Sequence, residues 1–207
     1  MKKKSVSLLI GLFLLISTPV VFGEETYKMS DLVIRDGLYY KKFTDVPFSG
    51  KVNGETQFGT FRNGRRNGLW TWYHNNGQLH FRGTFKDGKS DGPRVGYHYN
   101  GQLSYEGTYK DGEKEGPWFY YHENGRLRSE GIWKNDKKEG LWVDYYINGQ
   151  VYREVNFKNS KRNGLFTVYH ENGQLHRQGN MKDGKRDGHW VEYTPEGEDC
   201  SGGKWCL

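Results

Sequence analysis

Histidine, glutamate and tyrosine recur in this chain at one fixed interval. His74, His98, His122 and His170 hold the same position, with Tyr146 filling the gap. Imidazole is both a general base and a common metal ligand, so such a column is the first place to look for chemistry. Its spacing argues against it. If two strands separate successive members they stand about 9.6 Å apart, whereas zinc is held at ~2.0–2.3 Å. The carboxylates Glu106, Glu130 and Glu154 follow the same step. Catalysis by paired carboxylates needs one asymmetric site with two distinct roles, and a column of equals does not supply it. No serine sits in a Gly-x-Ser-x-Gly elbow. The glycine-containing turns lack the Gly-Lys-Ser/Thr of a phosphate loop. These residues therefore predict a chain without catalytic residues, metal ligands or cofactor. The sharpest binding candidate is a column of tyrosines at Tyr73, Tyr97, Tyr121, Tyr145, Tyr169 and Tyr193. Rings with a polar tip beside Arg82, Glu106, Glu130 and Gln178 suit recognition of a sugar, a peptide or another protein surface. The competing reading is that they cover the second face of a thin sheet.

The element that must position these columns is a repeat of 24 residues. Asn-Gly stands at Asn76, Asn100, Asn124, Asn148 and Asn172, and a glycine series runs Gly68, Gly92, Gly116, Gly140, Gly164 and Gly188. A fixed period of this size marks stacked units, each contacting its neighbours. Within one unit, Leu69–His74 and Leu79–Lys86 are rich in aromatic and β-branched residues and flank Asn-Asn-Gly-Gln. Asn-Gly between two such runs predicts a hairpin with a type I′ turn. Asp87-Gly88, Asp111-Gly112 and Asp183-Gly184 predict the return turns. Asn135-Asp136 and Asn159-Ser160 lack the glycine, but Asn and Asp tolerate the left-handed region. The fold class that follows is all-β: an elongated antiparallel sheet of tandem hairpins, one layer thick, with no significant helix after the leader.

Centring the turn on Asn76-Gly77 sets the register. Leu79 then faces His74, Phe81 faces Trp72, and Gly83 faces Trp70. The same count puts Gly131 opposite Trp118, Gly179 opposite Phe166 and Gly203 opposite Trp190, with Gly107 in the series. A ring across from a bare glycine covers its backbone. Trp70, Trp118, Trp142 and Trp190, with Gly83, Gly107, Gly131 and Gly179, are the structural repeat residues on this reading. Val155 opposite Trp142 breaks the rule and predicts a displaced indole. Alternation places Trp70, Leu79, Gly83 and Phe85 on the packed side, and Leu69, Thr71 and Tyr73 on the other. A bulge near Gly92 would alter this, because one inserted residue exchanges the faces.

The ends read differently. Lys2–Lys4, an apolar run from Val6 to Ile16, and Val21-Phe22-Gly23 predict a cleaved secretory leader at 1–23 and an exported chain, periplasmic or extracellular. Residues 24–34 read as a loosely ordered start, 35–58 as an N-terminal capping hairpin, and 59–202 as six tandem units. Residues 200–207 read as a clasp in which Cys200 and Cys206 form a disulfide or stay free thiols. The formal charge of +6 includes Lys2–Lys4; the remainder is small and evenly mixed. That excludes a nucleic-acid footprint and gives little attraction to an anionic membrane after cleavage. The open sheet edges allow self-association.

The unit Tyr-x-x-Asn-Gly-Gln-Leu, then Gly-x-Tyr-Lys-Asp-Gly, then Gly-x-Trp resembles the variant class of MORN repeats (membrane occupation and recognition nexus). The lead-in Asp36-Gly37-Leu38-Tyr39-Tyr40 through Pro47-Phe48-Ser49-Gly50-Lys51-Val52 resembles the start of bacterial YwqK-type antitoxins. The resemblance implies an elongated, gently curved sheet of stacked hairpins, with roles in scaffolding, lipid head-group contact or neutralising a toxin. The residues themselves predict an exported, non-catalytic scaffold that binds a protein or glycan through an aromatic-rich β-surface, with an antitoxin or immunity-like role as the alternative.

Overall fold

The structure, a computed structural model, describes residues 25–200. The leader at 1–23, Cys206 and Gly203 lie outside the described residues. The chain forms β1 (Thr26–Tyr27), β2 (Leu32–Arg35), β3 (Leu38–Lys41), β4 (Gly50–Asn53), β5 (Gln57–Arg62), β6 (Arg65–Tyr73), β7 (Leu79–Lys86) and β8 (Lys89–Tyr97). The alternation continues through β9 (Leu103–Lys110), β10 (Glu113–Tyr121), β11 (Leu127–Lys134), β12 (Lys137–Tyr145), β13 (Val151–Lys158), β14 (Lys161–Tyr169), β15 (Leu175–Lys182) and β16 (Lys185–Glu192). One 14-stranded sheet runs β1-β4-β5 and then in sequence order to β16, with β2 and β3 forming a separate pair. At ~4.8 Å per strand it is roughly 60 Å long. The only helical turn among the described residues is a 3-10 turn at Met29–Asp31.

Three features of each unit set the register. The return turns are type I′ in backbone sign. Asp87 (φ 49°) and Gly88 (φ 86°) are both left-handed, and so are Asn135, Asp136, Asn159 and Ser160, which carry the turn without glycine. Asp136 and Ser160 compensate with their side chains. The Asp136 Oδ1 accepts from Lys114 N at 2.8 Å, and the Ser160 Oγ accepts from Lys138 N at 2.8 Å.

The Asn-Gly turns differ from the expected form. Gly77 alone is left-handed (φ 82°), and Gly77 N donates to His74 O at 2.9 Å, so Asn75 and Asn76 are the central residues. Asn76 is held by its own side chain, which accepts from Gln78 N at 3.1 Å. An extra residue follows: Trp72 pairs with Phe81, but Tyr73 pairs with Leu79, not His74 with Leu79. The bulge at His80 turns Leu79 onto the tyrosine side of the sheet, away from the tryptophan side on which simple alternation placed it.

The third feature is a larger bulge. Phe58 pairs with Thr71, yet Thr60 pairs with Asn67, so three residues on β6 face Gly59 alone. Its pivot Gly68 has φ 75°, and Gly92, Gly116, Gly140, Gly164 and Gly188 repeat the conformation. Two inserted residues, unlike one, keep the side-chain alternation. The insertion carries each indole over the glycine of the preceding strand. Trp70 lies on Gly59, Trp118 on Gly107, Trp142 on Gly131 and Trp190 on Gly179. The hydrogen-bond register still pairs Trp70 with Gly83 and Trp118 with Gly131. At Trp70 and Trp118 ring cover and backbone pairing therefore use different glycines, whereas Trp190, in the last described strand, both covers and pairs with Gly179. Trp142 is not displaced: it is 2% exposed, as is Val155. Val155 lies under the smaller Phe166, its partner in β14, so a larger residue below meets a smaller ring above.

The N-terminal end is more ordered than expected. β1 pairs in parallel with β4, and β2 pairs with β3. The predicted hairpin between Leu38–Tyr40 and Val46–Val52 reduces to one bridge, Tyr40 to Pro47. Leu32, Phe48, Val52, Phe61 and Trp70 form a core with Tyr27, Met29 and Tyr39 packed on it. This cap adds a local second layer over the first tryptophan. Apolar residues at Leu32 and Met29 drive it, because a bare sheet end would leave Phe61 wet.

Candidate functional site: the two faces of the sheet

The tyrosine side carries two parallel rows. In the first, Tyr121 Oη donates to Glu106 Oε1 at 2.7 Å, Tyr145 Oη to Glu130 Oε1 at 2.6 Å, and Tyr169 Oη to Glu154 Oε2 at 3.1 Å. Each tyrosine thus grips the glutamate of the neighbouring strand. Burial, then the bond to the carboxylate, pushes the Tyr121 and Tyr145 phenols up to about 12. Tyr169 moves in the same direction, from burial first and then Glu154. At Tyr97 and Tyr193 the equivalent neighbours are Arg82 and Gln178; at Tyr73 it is Phe58, packed edge-on at 5.4 Å between ring centroids. The candidate tyrosines are therefore brought together on one face, half-buried, with three of their hydroxyls committed to carboxylates.

The second row escaped the sequence reading. The large bulges lift Leu69, Pro93, Pro117, Leu141 and Leu165 out of the sheet on the tyrosine side, and all are exposed. Leu69 is 58%, Leu141 49% and Leu165 46% exposed. Ile132, paired with Pro117, adds to the patch at 51%. The signal was present in the residue after each repeat glycine, but only the left-handed glycine makes that residue protrude. Between the rows lies an open trough of about 800 Å³, lined by Leu69, Val95, Tyr97, Leu103, Glu106 and Phe119 among others.

The opposite face is aromatic and basic. Arg66 lies over Trp70 at 5.0 Å, Lys114 over Trp118 at 4.4 Å, Lys138 over Trp142 at 3.8 Å, Arg162 over Phe166 at 5.4 Å and Arg186 over Trp190 at 4.4 Å. Each cation sits four residues before its ring. One unit has Ser90 at that position and Arg94 where the tryptophan belongs. Arg94 lies over Phe81 at 4.2 Å, so the cation is supplied from the other site. Burial lowers the Lys138 ammonium from its usual range. The small net charge of the chain hides this arrangement: cations cover the tryptophan side, while glutamates bonded to tyrosine occupy the other. Three indole donors are tied into the sheet: Trp70 Nε1 donates to Thr60 O at 2.9 Å, Trp118 Nε1 to Thr108 O at 3.2 Å and Trp142 Nε1 to Ile132 O at 3.1 Å, whereas the Nε1 of Trp133 and Trp190 is buried without a partner.

The histidine column proves to be a staple between units. The Nε2 of His74, His98, His122 and His170 lies 2.9–3.2 Å from the carbonyl 23 residues on. Tyr146 takes the same role with its hydroxyl, donating to Tyr169 O at 2.9 Å. A carbonyl only accepts, so these imidazoles carry the proton on Nε2. Beside them Asn76, Asn100, Asn124, Asn148 and Asn172 each donate from Nδ2 to the carbonyl of the next turn. Among the described residues no three His, Cys, Asp or Glu side chains gather as metal ligands. At the C-terminal end Cys200 is buried, and Cys200 N donates to Glu192 O at 2.9 Å; the predicted clasp with Cys206 lies outside the described residues.

The family comparison coincides with this geometry. The model described as MORN repeat variant matches residues 66–87, 90–111, 114–135, 138–159 and 162–183, and that described as MORN repeat matches 58–69, 130–141 and 178–193. Each variant match starts at or beside the cation position and ends in the following left-handed turn. A search of curated proteins finds no match. With more than half of its length matched, the chain belongs to the MORN-repeat proteins, as a scaffold built on units of the variant class.

Proposed function

We propose that this chain is an exported, non-catalytic scaffold that holds an extended segment of a partner protein along its tyrosine face. The observation that carries the reading is the exposed aliphatic row Leu69–Pro93–Pro117–Leu141–Leu165 running beside the Tyr–Glu row. Apolar residues left in water over several units mark an interaction surface. An aliphatic row favours a polypeptide over a glycan, whose hydroxyls need hydrogen-bond partners at every step. The trough is open and shallow, which suits a long ligand better than a small substrate. The equivalence of the three Tyr–Glu pairs supports binding over catalysis. The basic, apolar composition of residues 2–16 supports export.

The test uses the processed chain immobilised on resin, beside two variants. Leu141→Asp with Leu165→Asp alters the tyrosine face; Arg162→Glu with Arg186→Glu alters the other. A partner retained by the parent and the second variant but lost by the first supports the reading. A partner lost only by the second variant overturns it.

A further inference from the structure

The acidic row on the tyrosine face has a period that selects one backbone conformation. Glu106, Glu130 and Glu154 occupy the same place on β9, β11 and β13, near the middle of each strand, with one strand between successive members. Their step along the sheet is thus about 9.6 Å. A polyproline II chain has three residues per turn and rises ~3.1 Å per residue, so one side of it recurs every ~9.3 Å. The mismatch is a few tenths of an ångström per unit. A β-strand presents one side every ~6.7 Å, and an α-helix rises ~10.5 Å in the seven residues that return to one face. Neither stays in step over successive units.

The chemistry agrees with the spacing. Each glutamate accepts its tyrosine through one oxygen, Oε1 of Glu106, Oε1 of Glu130 and Oε2 of Glu154, which leaves the second oxygen for an incoming cation. The tyrosine ring fixes the carboxylate, so little side-chain freedom is lost on binding. Arg82 replaces glutamate at one end of the row and Gln178 at the other. The acidic row therefore has three members, which sets the shortest matching peptide at about seven residues. The aliphatic row alongside would receive the proline rings, as apolar grooves do for such segments.

We infer that the tyrosine face binds a polyproline II segment of a partner protein that carries Lys or Arg at every third residue, each cation seated on one of Glu106, Glu130 and Glu154. This rests on the reading of that face as the docking surface and adds the conformation and charge of the occupant.

Calorimetric titration of the processed chain with synthetic peptides tests it. One peptide is a Pro-Pro-Lys repeat of four units; its isomer has the same composition with the lysines in one block. The repeat should bind about tenfold or more tighter at low salt. The Glu106→Gln, Glu130→Gln, Glu154→Gln variant keeps an oxygen for each tyrosine. It should bind the repeat no better than the isomer, with an unchanged far-UV spectrum. Equal affinity for the two peptides, or full affinity in the variant, overturns the inference. A partner captured through Leu141 and Leu165 that neither peptide displaces would sink this inference and leave the docking face standing.

Discussion

The indole of Trp118 lies flat on Gly107, eleven residues before it, while its hydrogen-bonded neighbour Gly131 lies under Trp142. Trp70, Trp118 and Trp142 thus each bind their own unit backwards to the preceding strand by ring cover and forwards by the ladder. A Cβ built at Gly107 would stand 2.3 Å from the Trp118 ring carbons. Gly107→Ala should therefore destabilise by about 1–3 kcal/mol, read as a lower denaturant midpoint. Gly131→Val alone should cost at least as much. Adding Trp142→Phe should recover part of the loss, as the pair Val155 and Phe166 does naturally. A coupling of about 0.5–3 kcal/mol in the double-mutant cycle is expected; additive costs would contradict the account.

The unit built on Arg94 should be improvable. Gly83 faces only Arg94, since a Cβ built there would meet the Arg94 side chain at 3.2 Å, and the Arg94 Nε is buried without a partner. Arg94→Trp combined with Ser90→Lys restores the arrangement of the units on either side. The double variant should gain ~0.5–2 kcal/mol from the cation over the ring, measured as a higher calorimetric midpoint. Arg94→Trp alone should gain less, since it removes the cation.

The histidine staple predicts which substitutions the column accepts. His98 Nε2 lies 2.9 Å from Tyr121 O, and Tyr146 shows that a hydroxyl reaches the same carbonyl. His98→Tyr should be close to neutral. His98→Phe, which lacks the donor, should cost about 1 kcal/mol, with faster amide exchange in the Asn100-Gly101 turn.

Acid and alkali should act on different residues. His80 lies tilted against His74 and His176 stacks on His170, with 4.3 Å between ring centroids in each pair. Burial first, and then the neighbouring histidine, lowers both from 6.5. A lowered imidazole means that the unfolded chain binds more protons. Their contribution is therefore intact above 6.5 and is lost as the pH falls toward the depressed folded values. His80→Gln with His176→Gln should flatten the stability profile there. Tyr121 and Tyr145 have the opposite sign. Their raised phenols leave stability complete below 10 and remove it as the pH climbs toward about 12. Absorbance titration should show a late tyrosine phase that moves to lower pH in Glu106→Gln with Glu130→Gln.

Repetition made the fold readable, because a period visible in Asn76, Gly92 and Tyr121 and their copies fixes strand number and direction without any tertiary information. The return turns were readable for the same reason: Asn135-Asp136 and Asn159-Ser160 are left-handed, as their residue types allow. A bulge near Gly92 is foreseeable, though as one inserted residue; its size, and the bulge at His80, are not. Nothing in the identity of His80 shows that it is an extra residue, and Gly68 does not announce two inserted neighbours. From those two omissions came the misplacement of Leu79, the assignment of ring cover to Gly83 instead of Gly59, and the unseen Leu69–Leu165 row. How the cap packs was hidden too, since the contacts of Leu32 with Phe48 and Trp70 are not periodic.

The insertion of two residues at each glycine pivot has an evolutionary corollary. An even count leaves sidedness untouched, so duplicating or deleting one 24-residue unit lengthens or shortens the molecule without turning it inside out. Length becomes a heritable variable in steps of about 9.6 Å, and kin of this chain should differ by whole units, like rulers cut at the same graduation.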